Sequence, residues 1–330
     1  MENYQSVIAQ MEDFGVVFAG KDLPLRIPTD KRKTFGKGGK WWYWLREFRP
    51  DAGGTFVVGR FGSYRTGESV KVEVNWQPLA DAERARLDAE RRAAEDRADV
   101  LRREEAELAA CSAAELWHRG SPKGTSAYLD RKGVVGEACR YLPDGSILVP
   151  LLRYDYSREH ALRACQRILP DGNKRFTKGF AKAGCCVRLG NAVDASTRLV
   201  MVCEGYATGL TLRMASHHEI PVFVALDAGN LQHVVPLLRG LYPQARILVC
   251  ADDDYRTRNQ QTGELCNPGR TAAKAIAKQV TGCDFVWPVF APATRQIKDT
   301  DFNDLHARQG LEAVRRQLLA VVQAIRKQHG

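Results

Sequence analysis

Acidic residues follow short apolar runs at three places in the C-terminal half of this 330-residue chain. They are Glu204, Asp252, Asp254, Asp299 and Asp301. Residues two apart in an extended segment point the same way, so Asp252 and Asp254 can face one point while Asp253 turns away. Clustered carboxylates repel one another unless a cation neutralises them. Because Mg²⁺ is a hard ion that prefers oxygen ligands, the pattern indicates a magnesium site.

The segments that carry these acids alternate between strand-like and helix-like patterns. The strand-like runs are RLVMVC, PVFVAL, RILVC and DFVWPV, and the helix-like stretches cover about 206–217, 231–240, 269–280 and 309–326. Apolar strands that alternate with helices indicate a parallel sheet covered on both faces. Ligands bind beyond the carboxyl ends of the strands in such sheets, which would bring the acids to one crevice. The alternative is that these acids only cap the helices that follow them.

The strand–Glu204 junction, the later strand–Asp252-x-Asp254 junction and the final Asp-x-Asp together resemble the Toprim domain, which bacterial primases, topoisomerases and certain nucleases share. The resemblance implies a doubly wound parallel sheet, with Glu204 binding metal and acting as a general acid or base. It also implies that Asp252 and Asp254 ligate Mg²⁺ or Mn²⁺, with Asp299 and Asp301 supporting a further ion. The catalytic residues expected on this basis are Glu204, Asp252 and Asp254.

Residues 250–254, CADDD, are similar to the primase segment that carries the metal-binding Asp-Gly-Asp. Elsewhere the sequence departs from the family pattern in two ways. Replicative primases, however, have an aspartate four residues after the glutamate, where this chain has Thr208. The segment YRTRNQQTGELCN, residues 255–267, also separates Asp254 from the next helix-like stretch, where the family turn is short. Thr208 therefore leaves a metal near Glu204 unassigned, and the insertion predicts an extra surface loop.

Residues 119–195 form a basic segment. Between 113 and 190, 14 Lys and Arg side chains stand against 7 acids. The stretches SAYLDRKGV, SILVPLLRYD and QRILPDGNKRFTKG resemble the basic subdomain that precedes Toprim in primases of conjugative plasmids and satellite phages. We expect these side chains to bind phosphates of template or nucleotide; the alternative is a solvated β-hairpin with a basic turn. The residues expected to bind are Arg153, Arg167, Lys174, Arg175, Lys178 and Lys182, with Gly229 and Asn230 after the second strand of the predicted sheet.

The first 118 residues lack a catalytic cluster of this kind. Residues 1–78 are rich in Gly, aromatic and basic residues and show β-like alternation. The run KRKTFGKGGKWWYWLREFR sets aromatic rings between basic groups, which suits single-stranded nucleic acid. A buried strand is the alternative interpretation of the same run. Residues 79–118 are rich in Ala, Arg and Glu, and predict a long charged helix.

The composition narrows the class of partner and the compartment. The formal net charge of +10 favours a polyanionic partner. No apolar run is long enough to span a bilayer, and the acidic N-terminus is unlike a signal peptide, so a cytoplasmic protein is expected. The nine cysteines include no C-x-x-C pair, and no zinc is expected. No Walker A sequence occurs, so helicase activity would come from elsewhere or be absent.

Together these patterns predict an α/β protein with four parts. They are a β-rich N-terminal domain (1–78), a long helix (79–118), a basic α+β subdomain (119–195) and a Toprim-type doubly wound parallel sheet (196–330). The resemblance implies a DNA primase, a nucleotidyltransferase that makes RNA primers on single-stranded DNA from NTPs, for plasmid or phage replication or conjugation. A replicative helicase or another replication protein is a further expected partner. The alternatives are a Toprim nuclease and a non-catalytic DNA-binding protein of a mobile element.

Overall fold

The computed structural model describes residues 1–29, 31–64, 67–74, 81–258 and 263–329. The chain divides into two compact units, Met1–Arg103 and Glu104–Gly330. Among the described residues, no helix combines the length and the apolar surface that a bilayer span requires. The finer division into four parts stays a prediction.

The first unit is an antiparallel sheet packed against a short helix, α1 (Tyr4–Asp13). In sheet order, the strands are β1 (Lys33–Phe35), β2 (Trp41–Phe48), β3 (Phe56–Ser63) and β4 (Ser69–Lys71). Val7 and Met11 of α1 pack in one core with Leu45 and Phe61 of the sheet. The predicted long helix, α2 (Asp81–Arg119), begins in this unit.

The four consecutive aromatic residues of β2 take part in this packing. Tyr43 is 5% exposed and belongs to the core shared with α1. Trp42 is 6% exposed, and the guanidinium of Arg32 lies 4.2 Å from its ring centroid. Trp41 meets Phe14 edge-on. The side chains of Trp42 and Tyr43 therefore stabilise the sheet, and neighbouring groups cover their rings.

The second unit opens with a small antiparallel sheet. The end of α2 packs on it through Ala113, which meets Leu148 and Cys165. A short helix, α3 (Ala127–Lys132), precedes the sheet. The strands in order are β5 (Arg140–Tyr141), β6 (Ile147–Leu152), β7 (Leu162–Ile168) and β8 (Lys174–Phe176). The segment PDGNKR therefore forms the turn of a β7–β8 hairpin, with its Lys174 and Arg175 already in β8.

A five-stranded sheet forms the centre of the second unit. Its strands are β9 (Val187–Leu189), β10 (Leu199–Cys203), β11 (Val222–Val224), β12 (Arg246–Cys250) and β13 (Cys283–Val286), in the order β13-β12-β10-β11-β9. Strands β10 to β13 are parallel, and β9 runs antiparallel to β11 at one edge. The helices are α4 (Tyr206–Ala215), α5 (Ala228–Leu241), α6 (Pro268–Gln279), α7 (Phe302–Gln309) and α8 (Leu311–His329).

Helices cover both faces of this sheet. Alternate strand residues such as Met201 and Leu248 pack against α4, α7 and α8 on one face. Their neighbours, such as Val202 and Val249, pack against α5 and α6 on the other. This two-sided burial explains why the strands are continuous apolar runs. The predicted fold class, a doubly wound parallel sheet preceded by an α+β part, a long helix and a β-rich N-terminal region, is confirmed.

Candidate active site

Glu204 and Asp252 leave the carboxyl ends of two adjacent strands. Cys203 of β10 is in register with Cys250 of β12, so the residues that follow them emerge at the same edge of the sheet. Gly269, in the first turn of α6, closes the space between them. A Cβ atom on Gly269 would lie 2.5 Å from the Asp252 carbonyl oxygen and 3.0 Å from Glu204 Oε1. Only glycine allows this close approach, because a side chain would collide with backbone.

The carboxylates of this edge are crowded and poorly neutralised. Burial, followed by the charge of Asp254, raises the pKa of Glu204 from 4.5 to about 7. Burial and the charges of Glu204 and Asp301 raise the pKa of Asp252 well above its usual range. The pKa of Asp254 is raised as well, chiefly by burial. Glu204 Oε1 and Asp252 Oδ1 are buried and have no hydrogen-bond partner among the described residues.

Asp301 joins the same cluster from the start of α7. Its carboxylate accepts a hydrogen bond from the Thr208 hydroxyl at 3.0 Å and another from the backbone amide of Asp304 at 2.8 Å. Burial and the charge of Asp304 raise the pKa of Asp301. Thr208, which stands where replicative primases have an aspartate, therefore contacts the acidic cluster directly and donates to it.

The helix-cap alternative applies to one acid of the predicted set. Asp301 is the N-cap of α7, in a capping box with Asp304. The N-cap residues of α4, α5 and α6 are Gly205, Asp227 and Asn267. Glu204, Asp252 and Asp254 are therefore not the N-cap residues of these helices. Backbone amides at the starts of α5 and α6, those of Ala228 and Gly269, act to lower the pKa of Glu204 and Asp254, but burial outweighs them.

Asp299 has different surroundings from Asp301. Its carboxylate accepts hydrogen bonds from Arg308 at 2.9 Å and from the Gln296 backbone amide at 2.8 Å. Burial acts to raise the pKa of Asp299, but these hydrogen bonds outweigh it and hold the pKa below its usual range. Asp299 is therefore already neutralised by an arginine, whereas Glu204, Asp252, Asp254 and Asp301 form no comparable ion pair within the described part of the chain.

The residues present fit a hard divalent cation. Two buried, unpartnered carboxylate oxygens and four raised pKa values show that the cluster lacks positive charge. Within the described parts of the chain, no three His, Cys, Asp or Glu side chains form a ready-made ligand set. Mg²⁺ does not require one, because it commonly binds one or two carboxylates and completes its shell with water and substrate phosphates.

A cleft of about 630 Å³ lies beside the cluster. Its lining includes the polar side chains of Lys132, Asn173, Lys174, Thr208, Asp301 and Asp304. Lys174 keeps access to solvent on β8. Burial lowers the pKa of its ammonium, while Asp301 and Asp252 act to raise it. The hairpin of β7 and β8 thus brings a predicted phosphate-binding lysine to the acidic cluster.

Sequence reasoning missed several residues of this cleft. Lys132 ion-pairs with Asp304 at 3.7 Å. Asn303 of α7 donates to the Lys132 carbonyl at 2.8 Å, which ties α3 to the acidic edge. Lys132 and Asn173 stand in the basic stretches SAYLDRKGV and PDGNKR, which offered a signal for them. The contacts of Asn303 and Asp304 with Lys132 could not be predicted, because about 170 residues separate them in sequence.

The other predicted binding residues have the following surroundings. Arg153 pairs with Asp155 at 2.5 Å, and Arg167 pairs with Asp144. Lys182 pairs with Asp227 at 2.5 Å, and Arg175 and Lys178 are exposed near β8.

Gly229 lies in the first turn of α5. Asn230 is fully buried, and its side chain bonds the backbone of Gly184, Cys185 and Ala225 at 2.8–2.9 Å. The binding roles of these residues stay predictions.

Residues 199–312 match the family model of the Toprim domain. Two curated relatives from Escherichia coli, both called DNA primase TraC, are similar to this chain. One is 40% identical over 129 residues, which is 38% of this chain and 12% of that protein. The other is 31% identical over 244 residues, 72% of this chain and 16% of that protein. The predicted resemblance to Toprim-domain DNA primases is thus confirmed, although the chain spans less than a fifth of these relatives.

Among solved structures, the fold is similar to the primase fragment of the bacteriophage T7 primase-helicase protein. That structure is 14% identical in sequence, with a TM-score of 0.43 over 59% of this chain and 74% of the other.

Proposed function

We propose that this protein is a DNA primase, a DNA-directed RNA polymerase that joins NTPs into short primers on single-stranded DNA. The observation that carries the proposal is the buried carboxylate cluster of Glu204, Asp252, Asp254 and Asp301 inside a Toprim domain, beside a cleft that Asp301 lines together with Lys132 and Lys174. Acids at the strand ends suit a metal, and cations in the neighbouring cleft suit a triphosphate. The similarity to DNA primase TraC supports the same function.

Each acid has a distinct role in this proposal. Asp252 and Asp254 would ligate Mg²⁺ or Mn²⁺, which when bound supplies positive charge to the phosphate under attack. Asp301, oriented by the Thr208 hydroxyl, would support a further ion. Glu204, with a pKa near 7, can take up the proton of an attacking 3′-hydroxyl and release it at neutral pH. Asp299 would first have to exchange Arg308 for the metal.

The basic segment would hold the polyanions of this reaction. Lys174 lines the same cleft as Asp301 and is placed to contact a nucleotide triphosphate. Arg175 and Lys178, exposed beside it, would contact the template backbone. Arg153, Arg167 and Lys182 each have a carboxylate partner and would contribute by exchanging it for phosphate. Gly229 and Asn230 would shape the backbone at the end of β11. A plasmid or phage origin, a cytoplasmic location and a replication partner belong to the same proposal.

One assay tests the function against its alternatives. The full chain is incubated with labelled NTPs, circular single-stranded DNA and Mg²⁺ or Mn²⁺, beside the Asp252→Asn variant. Short labelled oligoribonucleotides that the variant fails to make are the expected result. Shortened DNA without labelled product would indicate a nuclease that uses the same carboxylates. DNA binding with neither product would indicate a non-catalytic DNA-binding protein.

A further inference from the structure

Asp253, the middle residue of the aspartate motif, is the centre of a buried ion-pair network. It is 4% exposed, and its carboxylate meets Arg295 at 2.8 Å and Arg270 at 3.4 Å. The Asn267 amide donates to the same carboxylate at 2.7 Å. Arg295 also donates to the backbone carbonyls of Asp253 and Asp299, at 3.2 and 3.0 Å. A residue that turns away from the acidic cluster is thus one of the most firmly held in this region.

Aromatic rings hold the two arginines in place. The guanidinium of Arg295 lies 3.7 Å from the ring centroid of Tyr255 and 4.7 Å from that of Phe290. Arg270 lies 4.0 Å from the centroid of Trp287. Such contacts orient a guanidinium while leaving its N–H groups free for a carboxylate. Since Tyr255 is the first residue of the insertion, the insertion begins on this network.

The same network fixes the backbone on both sides of Asp253. Asn267 accepts a hydrogen bond from the Asp254 amide at 3.0 Å while it caps α6. The Asp253 amide donates to the Thr300 carbonyl at 2.7 Å, which joins this loop to the turn that carries Asp301. The loop that bears Asp252 and Asp254 is therefore tied to α6 and to the start of α7.

We infer that Asp253 is a positioning residue for the catalytic carboxylates. Asp252, Asp254 and Glu204 repel one another, and repulsion would spread a free loop. Asp253 opposes this by binding two cationic side chains and an amide on the far side of the backbone. Its neighbours are thus presented to a divalent cation as a preformed pair. This inference rests on the metal site of the proposed function.

The decisive variant is Asp253→Asn in the full chain, which keeps the side-chain size and removes the charge that Arg270 and Arg295 share. Mn²⁺ affinity is measured by calorimetry, and amide hydrogen exchange is followed over residues 251–257 without metal. We expect Mn²⁺ to bind about 10- to 100-fold more weakly, as is typical when a residue that orients metal ligands is removed. We also expect faster exchange confined to that segment. Arg295→Lys, which keeps a positive charge but loses the fork and the stacking, should give a smaller change in the same direction.

The matched control is Glu137→Gln. It breaks a different ion pair of the same unit, with Arg213 at 3.2 Å, whose side chain is 6% exposed. It should leave Mn²⁺ affinity and the exchange of 251–257 unchanged, even if the melting temperature falls. If Asp253 contributes to stability alone, Asp253→Asn should likewise lower the melting temperature and leave Mn²⁺ affinity unchanged. Wild-type Mn²⁺ affinity in Asp253→Asn would therefore overturn the inference. If the wild-type protein binds no Mn²⁺, the proposed function fails instead. Unchanged exchange at 251–257 in Asp253→Asn would then separately refute the anchoring.

Discussion

At the scale of single residues, this site separates acids that have counter-charges from acids that lack them. Asp253 and Asp299 are buried beside arginines, whereas Glu204 and Asp252 are buried with unpartnered oxygens. Burying an unpaired charge is costly, and a fold retains it where another species supplies the missing charge. The acids without counter-charges are therefore where substitutions should affect chemistry more than stability.

Asp252→Asn and Asp254→Asn should each lower primer synthesis by about two to three orders of magnitude, because one charge that stabilises the transition state is removed. The metal-free protein should be as stable as the wild type or slightly more so, since repulsion within the cluster is relieved. Melting curves in chelator, paired with primer synthesis in Mg²⁺, measure both. A helix-cap role predicts the reverse, with activity kept and stability lowered by about 1 kcal/mol. Asp253→Asn cannot serve as a neutral comparison, because Asp253 carries two ion pairs.

Glu204 should make the stability of the metal-free protein depend on pH. Its pKa is raised from 4.5 to about 7, so the folded protein binds this proton more tightly than the unfolded chain does. The resulting stabilisation is complete below about pH 4.5 and is lost as the pH rises through about 7. The free energy of unfolding should fall by at most about 1.4 kcal/mol per pH unit from this group. The free energy of unfolding is measured by urea unfolding in chelator at several pH values in this range. It should fall less steeply with pH for Glu204→Gln than for the wild type, and an identical dependence on pH would contradict the prediction.

At the scale of elements, the β7–β8 hairpin and the parallel sheet together make the cleft. The start of α7, beside the carboxyl edge of the sheet, supplies Asp301 and Asp304 to the cleft, and the hairpin supplies Lys174. Arg175 is in register with Arg167 on this hairpin, but Arg167 is tied to Asp144 and Ser146. The hairpin therefore carries both cations with a carboxylate partner and cations exposed to solvent.

Reversing the charge of Lys174, Arg175 and Arg167 to Glu should weaken binding to single-stranded DNA. The affinity should also depend less on salt. The slope of log affinity against log salt concentration should decrease in magnitude by about 0.7 for each single-strand phosphate that the variant no longer neutralises. Fluorescence anisotropy at several salt concentrations measures both effects. Arg158→Glu, in the loop between β6 and β7, makes one charge reversal of the same kind and should have little effect. Unchanged affinity and slope in the triple variant would show that the hairpin does not bind phosphates.

At the scale of the whole molecule, every acid of the site lies in the second unit, Glu104–Gly330. A fragment beginning at Glu104 should join nucleotides at saturating template, with the first unit needed only for template affinity. The fragment should not begin later, because Glu107 pairs at 2.5 Å with Arg163, whose side chain is 9% exposed. Primer synthesis titrated against template compares the fragment with the full chain. A folded fragment that is inactive even at saturation would show that the first unit takes part in the chemical step.

The sequence by itself determined the sheet, its helices and the grouping of acids at one edge. These follow from local patterns, because a strand buried on both faces must be continuously apolar and a parallel sheet places its carboxyl ends together. That Glu204 and Asp252 lie on adjacent strands is a property of the strand order, in which β12 is next to β10 although β11 lies between them in sequence. The long helix was equally readable, since its composition favours a helix along its whole length.

Only the tertiary structure decided which acids have counter-charges and which do not. Asp253 and Asp254 are adjacent residues of the same type, yet only Asp253 forms an ion pair with Arg295, at 2.8 Å. Arg295 lies 42 residues later in the sequence. Thr208 looked like a missing ligand, yet it donates to Asp301, 93 residues away. Partners of this kind are set by how distant segments pack, and no periodicity in the chain encodes them. The fate of a buried charge depends on those partners, so the chemistry of each carboxylate was fixed only when the fold brought them together.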